Sequence, residues 1–463
     1  MNTHIKYILA AAFVSMASTA AIAQNLNTGY FNEGYLYRHD VNPAFGNDQG
    51  YIAMPGIGNL DLNIASNLPI DKVLYKVNGR TATFMHPQVN SSEFLNAVNE
   101  NNRIAENLRL QIIGFGFKGW GGYNTFEINA RENLNLNVPG SFLKLAKEGV
   151  ENKRYDISDM AGHVDGYAEI ALGHSRQVND NLRVGAKMKF LLGIANIDAN
   201  FNKAELNLGE NEYTGTVDAE IRSSVKAMSY KTEEKMRGAA GEEIKHKYVS
   251  GIDFDSWGVN GFGFAVDLGA EYKLDDNWKF SAAVLDLGYI HWNTNYLAST
   301  NGEQYVSTDT YIFSGDNRKD NYIDNEGDRL VEGISKLYEL QDMGDQGGRS
   351  KALQATMNFG AQYTPDFYDK MNFGLLSSTR VAGKYSWTEV RLSANVMPTK
   401  AFSASTNMAL GTYGFSFGWL VNVHPKGFNI FLGTDHQFGK VCKQALPLSG
   451  KANVNFGINF PIN

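Results

Sequence analysis

Between Leu182 and Ile194 every even position is apolar (Leu182, Val184, Ala186, Met188, Phe190, Leu192, Ile194), while Arg183, Gly185, Lys187, Lys189 and Gly193 fall on the odd face. A two-residue period sends successive side chains to opposite sides of a strand, so this segment has one oily and one wet face. Soluble strands usually run about five or six residues, whereas a tilted strand crossing a bilayer needs about nine to eleven. The same alternation runs through 60–64, 108–117, 126–138, 164–172, 264–272, 278–289, 357–363, 373–375, 390–396, 402–410, 415–423, 428–432 and 454–460. Two runs change parity, at Ile112-Ile113 and near Leu285, and a bulge is predicted at each.

Six connections are short and rich in turn residues: Gly119 to Gly122, Asn179 to Asn181, Asp275 to Asn277, Thr364 to Lys370, Met397 to Lys400 and His424 to Gly427. Seven uneven ones alternate with them, at about 67–105, 139–161, 203–257, 298–350, 381–386, 411–413 and 439–452. The pattern predicts an all-β chain, a transmembrane antiparallel up-and-down β-barrel of 14 strands with 12 or 16 as alternatives, and short helices in long external loops. Further alternation at 203–230 is read as an external hairpin extending the wall; as membrane strands it would make sixteen. Helices are predicted over Ser91 to Leu108, Gly140 to Gly149 and Arg329 to Leu340, the last with Leu330, Ile334, Leu337 and Tyr338 on one face.

Residues 1–23 read as a secretory signal peptide: Lys6, an apolar run from Ile8 to Val14, and Ala21-Ile22-Ala23 before Gln24. The residue directly after that site is Gln24 and not Cys, which argues against a lipid anchor, and no stretch approaches the roughly 18 apolar residues of a spanning helix. The formal charge of −7 becomes −8 when Lys6 leaves, which argues against nucleic acid as a partner. The 47 glycines, 27 Phe, 23 Tyr and 6 Trp suit a barrel, where aromatic residues mark both membrane interfaces. A single cysteine, Cys442, excludes an internal disulfide and is read as a loop thiol.

The layout resembles Bacteroidota outer-membrane barrels of uncharacterised function related to the FadL/TodX hydrophobic-compound transporters. The resemblance is carried by the signal peptide, Asn42-Pro43-Ala44 soon after it, the fourteen strands, and a last strand ending in Phe460. It implies a bacterial outer-membrane location and places residues 24–50 in an N-terminal hatch that plugs a barrel spanning 51–463. It also implies that Phe456 and Phe460 serve as a signal to the outer-membrane assembly machinery, and that lipid and lipopolysaccharide surround the wall.

The parity opposite the lipid face defines the lumen and collects Glu127, Arg131, Glu169, Arg183, Lys187, Lys189, Asp267, Glu271, Lys273, Glu389, Arg391 and Asp435. Both signs occur in similar number, which suits a braced, filled barrel better than an ion-selective ring. Large apolar residues on that parity are few: Leu191, Leu376, Leu420 and Phe431. His174 and His436 fall on the lipid-facing parity near opposite ends, so no serine triad or Asp-His dyad is expected and the chain is read as no enzyme. No cofactor or transition-metal motif is present; the acidic loop residues Asp316, Asp320, Asp324, Glu326 and Asp328 have the oxygen density of a weak Ca²⁺ candidate, without the glycine an EF-hand needs. Two functions stay open: passive passage of small hydrophobic ligands, and a plugged barrel acting as an interaction or scaffold partner in secretion or envelope assembly. An active transporter with a plug domain is disfavoured by the short segment before the first strand.

Overall fold

The computed structural model describes residues 26–149, 151–209, 212–237, 244–308, 329, 333–436 and 450–462. Fourteen strands follow one another round the wall, each antiparallel to its neighbours, and the last closes on the first through Leu60↔Phe456 to Ala65↔Lys451. They are β1 (Gly50–Ala53 continued by Leu60–Ser66), β2 (Asn101–Gly119), β3 (Gly122–Pro139), β4 (Ala161–Gln177), β5 (Leu182–Leu208), β6 (Gly261–Lys273) and β7 (Trp278–Trp292). The second half comprises β8 (Ala355–Tyr363), β9 (Met371–Val381), β10 (Trp387–Thr399), β11 (Phe402–Gly411), β12 (Gly414–Val423), β13 (Asn429–Thr434) and β14 (Lys451–Ile462). The count of fourteen stands; the turn expected at Met397–Lys400 moves to Lys400–Ala401 because β10 runs on to Thr399, and the last strand continues past Phe460 to Ile462.

Alternation becomes two environments. Along β5, Val184, Met188 and Phe190 are exposed on the outside, whereas Lys187, Lys189 and Leu191 are buried. Aromatic side chains are exposed near the short turns, including Trp120, Trp278 and Phe367, and others near the opposite rim, including Phe262, Trp257 and Phe415. Two such bands bracket an apolar belt, the arrangement expected where a barrel meets both membrane interfaces. Only part of the 27-residue β5 is needed to cross the belt; its far half pairs with Tyr213–Val225, within the stretch at 203–230 read as an external hairpin extending the wall.

Both predicted bulges are present. The β2–β3 register shifts between Gln111 and Ile113, leaving Ile112 and Ile113 both exposed outward. In β7, Asp286 takes a left-handed φ of 57° where the β6–β7 register shifts. A third irregularity interrupts β1: Met54 to Gly58 loop outward between its two segments. The ladder bridges the interruption through Met54 N to Ile458 O at 3.0 Å, Ile458 N to Ile57 O at 3.0 Å and Gly56 N to Ile112 O at 3.3 Å.

The β2–β3 turn has φ 52° at Trp120 and 73° at Gly121, the paired left-handed geometry whose twist matches a hairpin. Gly121→Val therefore is expected to destabilise the barrel by about 1–2 kcal/mol, the left-handed penalty of an L residue, read as an earlier urea unfolding midpoint in detergent.

The loops correct two expectations. Helix covers Ser91–Leu95 instead of Ser91 to Leu108, because the chain from Asn101 is captured by β1 and β3 through the ladder. Of the helix expected over Arg329 to Leu340, 333–336 is helical; Leu337 of the expected face packs against the cluster of Ala204, Val217 and Ala219, Ile334 and Tyr338 are exposed, and Leu330 lies outside the described residues. The helix at Gly140–Glu148 is where periodicity put it.

Candidate functional site in the plugged lumen

Residues 26–49 enter the barrel and fill it. Leu26, Tyr30, Phe31, Tyr35, Tyr37, Val41 and Phe45 are all buried there, in two clusters that also include Leu376, Leu420 and Phe431 of the wall. Burial of aromatic area drives the seating, and each phenol in turn needs a polar partner inside. Tyr35 donates to Asn455 Oδ1 at 3.0 Å, and the Tyr37 hydroxyl lies 2.6 Å from both Gln111 Oε1 and Asn459 Oδ1. In the Asn42-Pro43-Ala44 turn, Asn42 Oδ1 accepts from Ala44 N at 2.9 Å and Asn42 Nδ2 points at the Ala270 and Ala282 carbonyls. This turn lies against the wall where β5 and β6 carry glycine: a Cβ on Gly185 would stand 2.0 Å from Pro43 O, and one on Gly269 2.0 Å from Asn42 Oδ1.

Three ion-pair nodes line the lumen; the first and third tie the plug to the wall, and the second joins wall strands to one another. In the first, Asp40 of the plug pairs with Arg109, and with Lys187 Nζ at 2.8 Å; Glu127 accepts from the same two cations at 2.9 and 3.2 Å. Burial alone pushes the Asp40 carboxyl up, but Arg109 and Lys187 outweigh it and hold it well below the usual carboxylate range. In the second, Lys189 reaches Asp267 at 2.7 Å and Asp286 at 2.5 Å, while Arg131 bridges Glu169 at 3.1 Å and Asp286 at 3.4 Å. In the third, Asp435 accepts from the Asn27 and Thr28 backbone at 2.8 and 2.7 Å and pairs with Arg391 at 3.2 Å, which also holds Glu389 at 2.5 Å.

The remaining predicted lumen residues are placed less centrally. Arg183 stands opposite Glu271 in the β5–β6 register and donates to Ser175 Oγ at 3.1 Å. Lys273 keeps the inward parity but stands at the rim, where it pairs with Asp276 of the adjacent turn at 2.6 Å and braces nothing inside. His436 corrects the parity reading: β13 ends at Thr434, so alternation no longer governs it, and it is buried. His174 is on the wall near the short turns and bonds Asn124, apart from any nucleophile–base pair. Cys442 and the acidic loop from Asp316 to Asp328 lie outside the described residues.

Sequence reasoning missed His39, Asp40, Arg109 and Asp286. Arg109 had a signal, since it opposes Leu108 and Leu110 in parity; Asp286 occupies the parity break itself. His39, Asp40 and Glu127 bring three possible metal donors within 4.8 Å of one another, yet Arg109 and Lys187 already neutralise both carboxylates. Also missed was an asparagine paving, including buried Asn133, Asn135, Asn137, Asn453, Asn455 and Asn459, legible as Asn at every second residue along the inward face. Two of the spaces inside are small and polar: one chamber of about 20 Å³ beside Arg391 and Asp435, another of about 40 Å³ beside Arg131 and Arg380.

Residues 43–435 match the sequence profile of a family described as "Family of unknown function (DUF5723)". No curated protein matches the chain. Among solved structures, it is similar to the Ralstonia pickettii toluene transporter TbuX, with a TM-score of 0.40 and 10% identity over 96% of this chain and 95% of that one. The P. putida toluene transporter TodX gives 0.35 and 10% over 96% of each chain, and a Pseudomonas aeruginosa FadL homologue 0.36 and 11% over 96% and 94%.

Proposed function

The chain belongs to that family of unknown function, and on this premise we propose a role from the lumen itself: a sealed outer-membrane barrel that works through its external surface, as an interaction or scaffold partner in envelope assembly or secretion. The observation that carries this reading is the plug, seated in the lumen by aromatic burial and by the ion-pair nodes at Asp40 and Asp435. This reading assigns the barrel to a bacterial outer membrane, and a closed barrel with an apolar outer belt suits lipid because it leaves no backbone group unpaired there. Lipid and lipopolysaccharide are then the partners of the wall, and the closing strand with Phe456 and outward Phe460 is assigned to recognition by the assembly machinery.

Planar-bilayer recording tests the seal. The native protein is expected to be electrically silent, and a variant lacking residues 26–49 to conduct steadily; sustained conductance by the native protein would overturn the reading.

One observation favours a second reading, passive passage of small hydrophobic molecules: the outward loop of β1 at Met54–Gly58 lies beside Gln111, which holds the plug through Tyr37. Proteoliposome uptake of a labelled apolar compound by the native protein, lost when the loop is shortened, would support it over the scaffold.

The seal has an acid limit. Burial raises the Glu33 carboxyl, but Lys279, 2.7 Å away, outweighs it, with Arg38 adding to the effect, and the carboxyl settles at about 2 against an ordinary 4.5. A carboxylate whose folded pKa is depressed stabilises above its unfolded value and loses that contribution as pH falls through the folded one. Protease cleavage within residues 26–49 is expected to rise as pH falls from about 4.5 toward 2, and Glu33→Gln to flatten that profile.

A further inference from the structure

Above the plug, a recess of about 470 Å³ opens between the ends of β1, β11, β12 and β14, lined by Asn67, Asn99, Thr412, Tyr413, Phe415 and Lys451 among others. Its size falls in the range of about 300–1,000 Å³ of small-molecule sites, but its lining mixes amides, hydroxyls and aromatic rings where such sites are mostly apolar. Thr412, Tyr413 and His436 also border the chamber of about 20 Å³ beneath it, and that chamber meets the one of about 40 Å³ at Asn27. The three spaces, linked through these shared lining residues, descend as a vestibule whose lowest part is bordered by Asn27 and Val41 of the plug.

At its lower end stands Arg380. Its two terminal nitrogens donate to Asn107 Oδ1 at 2.8 Å and Asn133 Oδ1 at 2.9 Å, and its Nε is buried without a partner. Arg109, Arg131, Lys187, Lys189 and Arg391 each have a carboxylate within 4.0 Å; among the described residues Arg380 has none. The nearby acids are engaged, Asp286 by Lys189 and Arg131, and Glu389 and Asp435 by Arg391. A guanidinium is a planar donor fork matched to carboxylate geometry, so a cation held only by neutral amides at the end of a vestibule is set for an external anion. Higher up, His436 Nδ1 is buried and unpaired; burial lowers that imidazole to about 4, which leaves it neutral and able to bond a hydroxyl at pH 7.

We propose that this vestibule binds a small hydroxylated organic acid, such as a sugar acid, with its carboxylate on Arg380 and its hydroxyls among the amides and Tyr413 of the recess. The inference rests on the sealed reading only in that the seated plug supplies the floor, and it is read by binding, whereas the seal is read by conductance.

The full-length protein in detergent would be titrated with glucuronate, glucose and decanoate by calorimetry. Glucuronate is expected to bind, with affinity falling as salt rises, and glucose to bind at least tenfold more weakly for want of the carboxylate. Arg380→Gln is expected to cost glucuronate at least tenfold while heat-modifiable migration on a gel stays native. Should that variant fail to fold, Tyr413→Ala on the loop between β11 and β12 carries the test with the same expected loss. The proposal is overturned by native protein that does not bind glucuronate, by equal affinity after substitution, or by decanoate binding more tightly than glucuronate.

Discussion

Lys187→Met is expected to unseat the plug while leaving the barrel closed. Lys187 is buried and shares Asp40 and Glu127 with Arg109, so its removal leaves two carboxylates on one guanidinium beside His39. Breaking a buried pair by deleting one partner costs about 3–5 kcal/mol, because an uncompensated charge stays out of water. The wall is held by ladders along fourteen strands and has no need of this node, so the cost falls on the seated state of residues 26–49. The expected signature is rapid cleavage within 26–49 and new bilayer conductance, with heat-modifiable migration unchanged. Adding Asp40→Asn restores a one-to-one balance of Glu127 with Arg109 and is expected to recover most of the protection. Protection equal to the native protein's in the single variant would show that the node does not hold the plug.

Gly269→Val attacks the same seat by volume instead of charge. Its Cβ would lie 2.0 Å from Asn42 Oδ1 and 2.9 Å from the Pro43 ring, and the rest of the valine has nowhere else to go. Overpacking a filled interior costs about 1–3 kcal/mol, and here backbone as well as side chain must yield. Gly185→Val meets the Pro43 carbonyl from the neighbouring strand and is expected to act alike. Gly166→Ala, whose new methyl would meet only the Ala195 carbonyl at 4.0 Å, is the control expected to stay silent in a bilayer. A silent Gly269→Val would mean that the Asn42-Pro43-Ala44 turn can shift without opening the lumen.

Much of this architecture was written locally. The parity of Leu182 to Ile194, the short turns and the break at Ile112-Ile113 each report a neighbour-to-neighbour property of a pleated chain, which is why they are visible in one sequence. Where pairing competes with local preference the reading failed: Ser91 to Leu108 has helical spacing, but β3 offers a ladder from Asn101 onward and β1 a second one from Ile104. His436 failed for the complementary reason, since it lies two residues beyond its strand and the period no longer applies.

The candidate site was half visible. Glu127, Lys187 and Lys189 stand on the inward parity, so alternation alone sends them to the interior. Their partner Asp40 belongs to an irregular segment with no period to read, 147 positions from Lys187. Alternation therefore specified the wall, its two faces and its membrane belt, because these depend only on which way each residue points from its own strand. The contents of the lumen, the match of Pro43 to Gly185 and the seat of Arg380 on two asparagines were settled by the closed fold, because they depend on which distant residues share a few ångströms of dry interior.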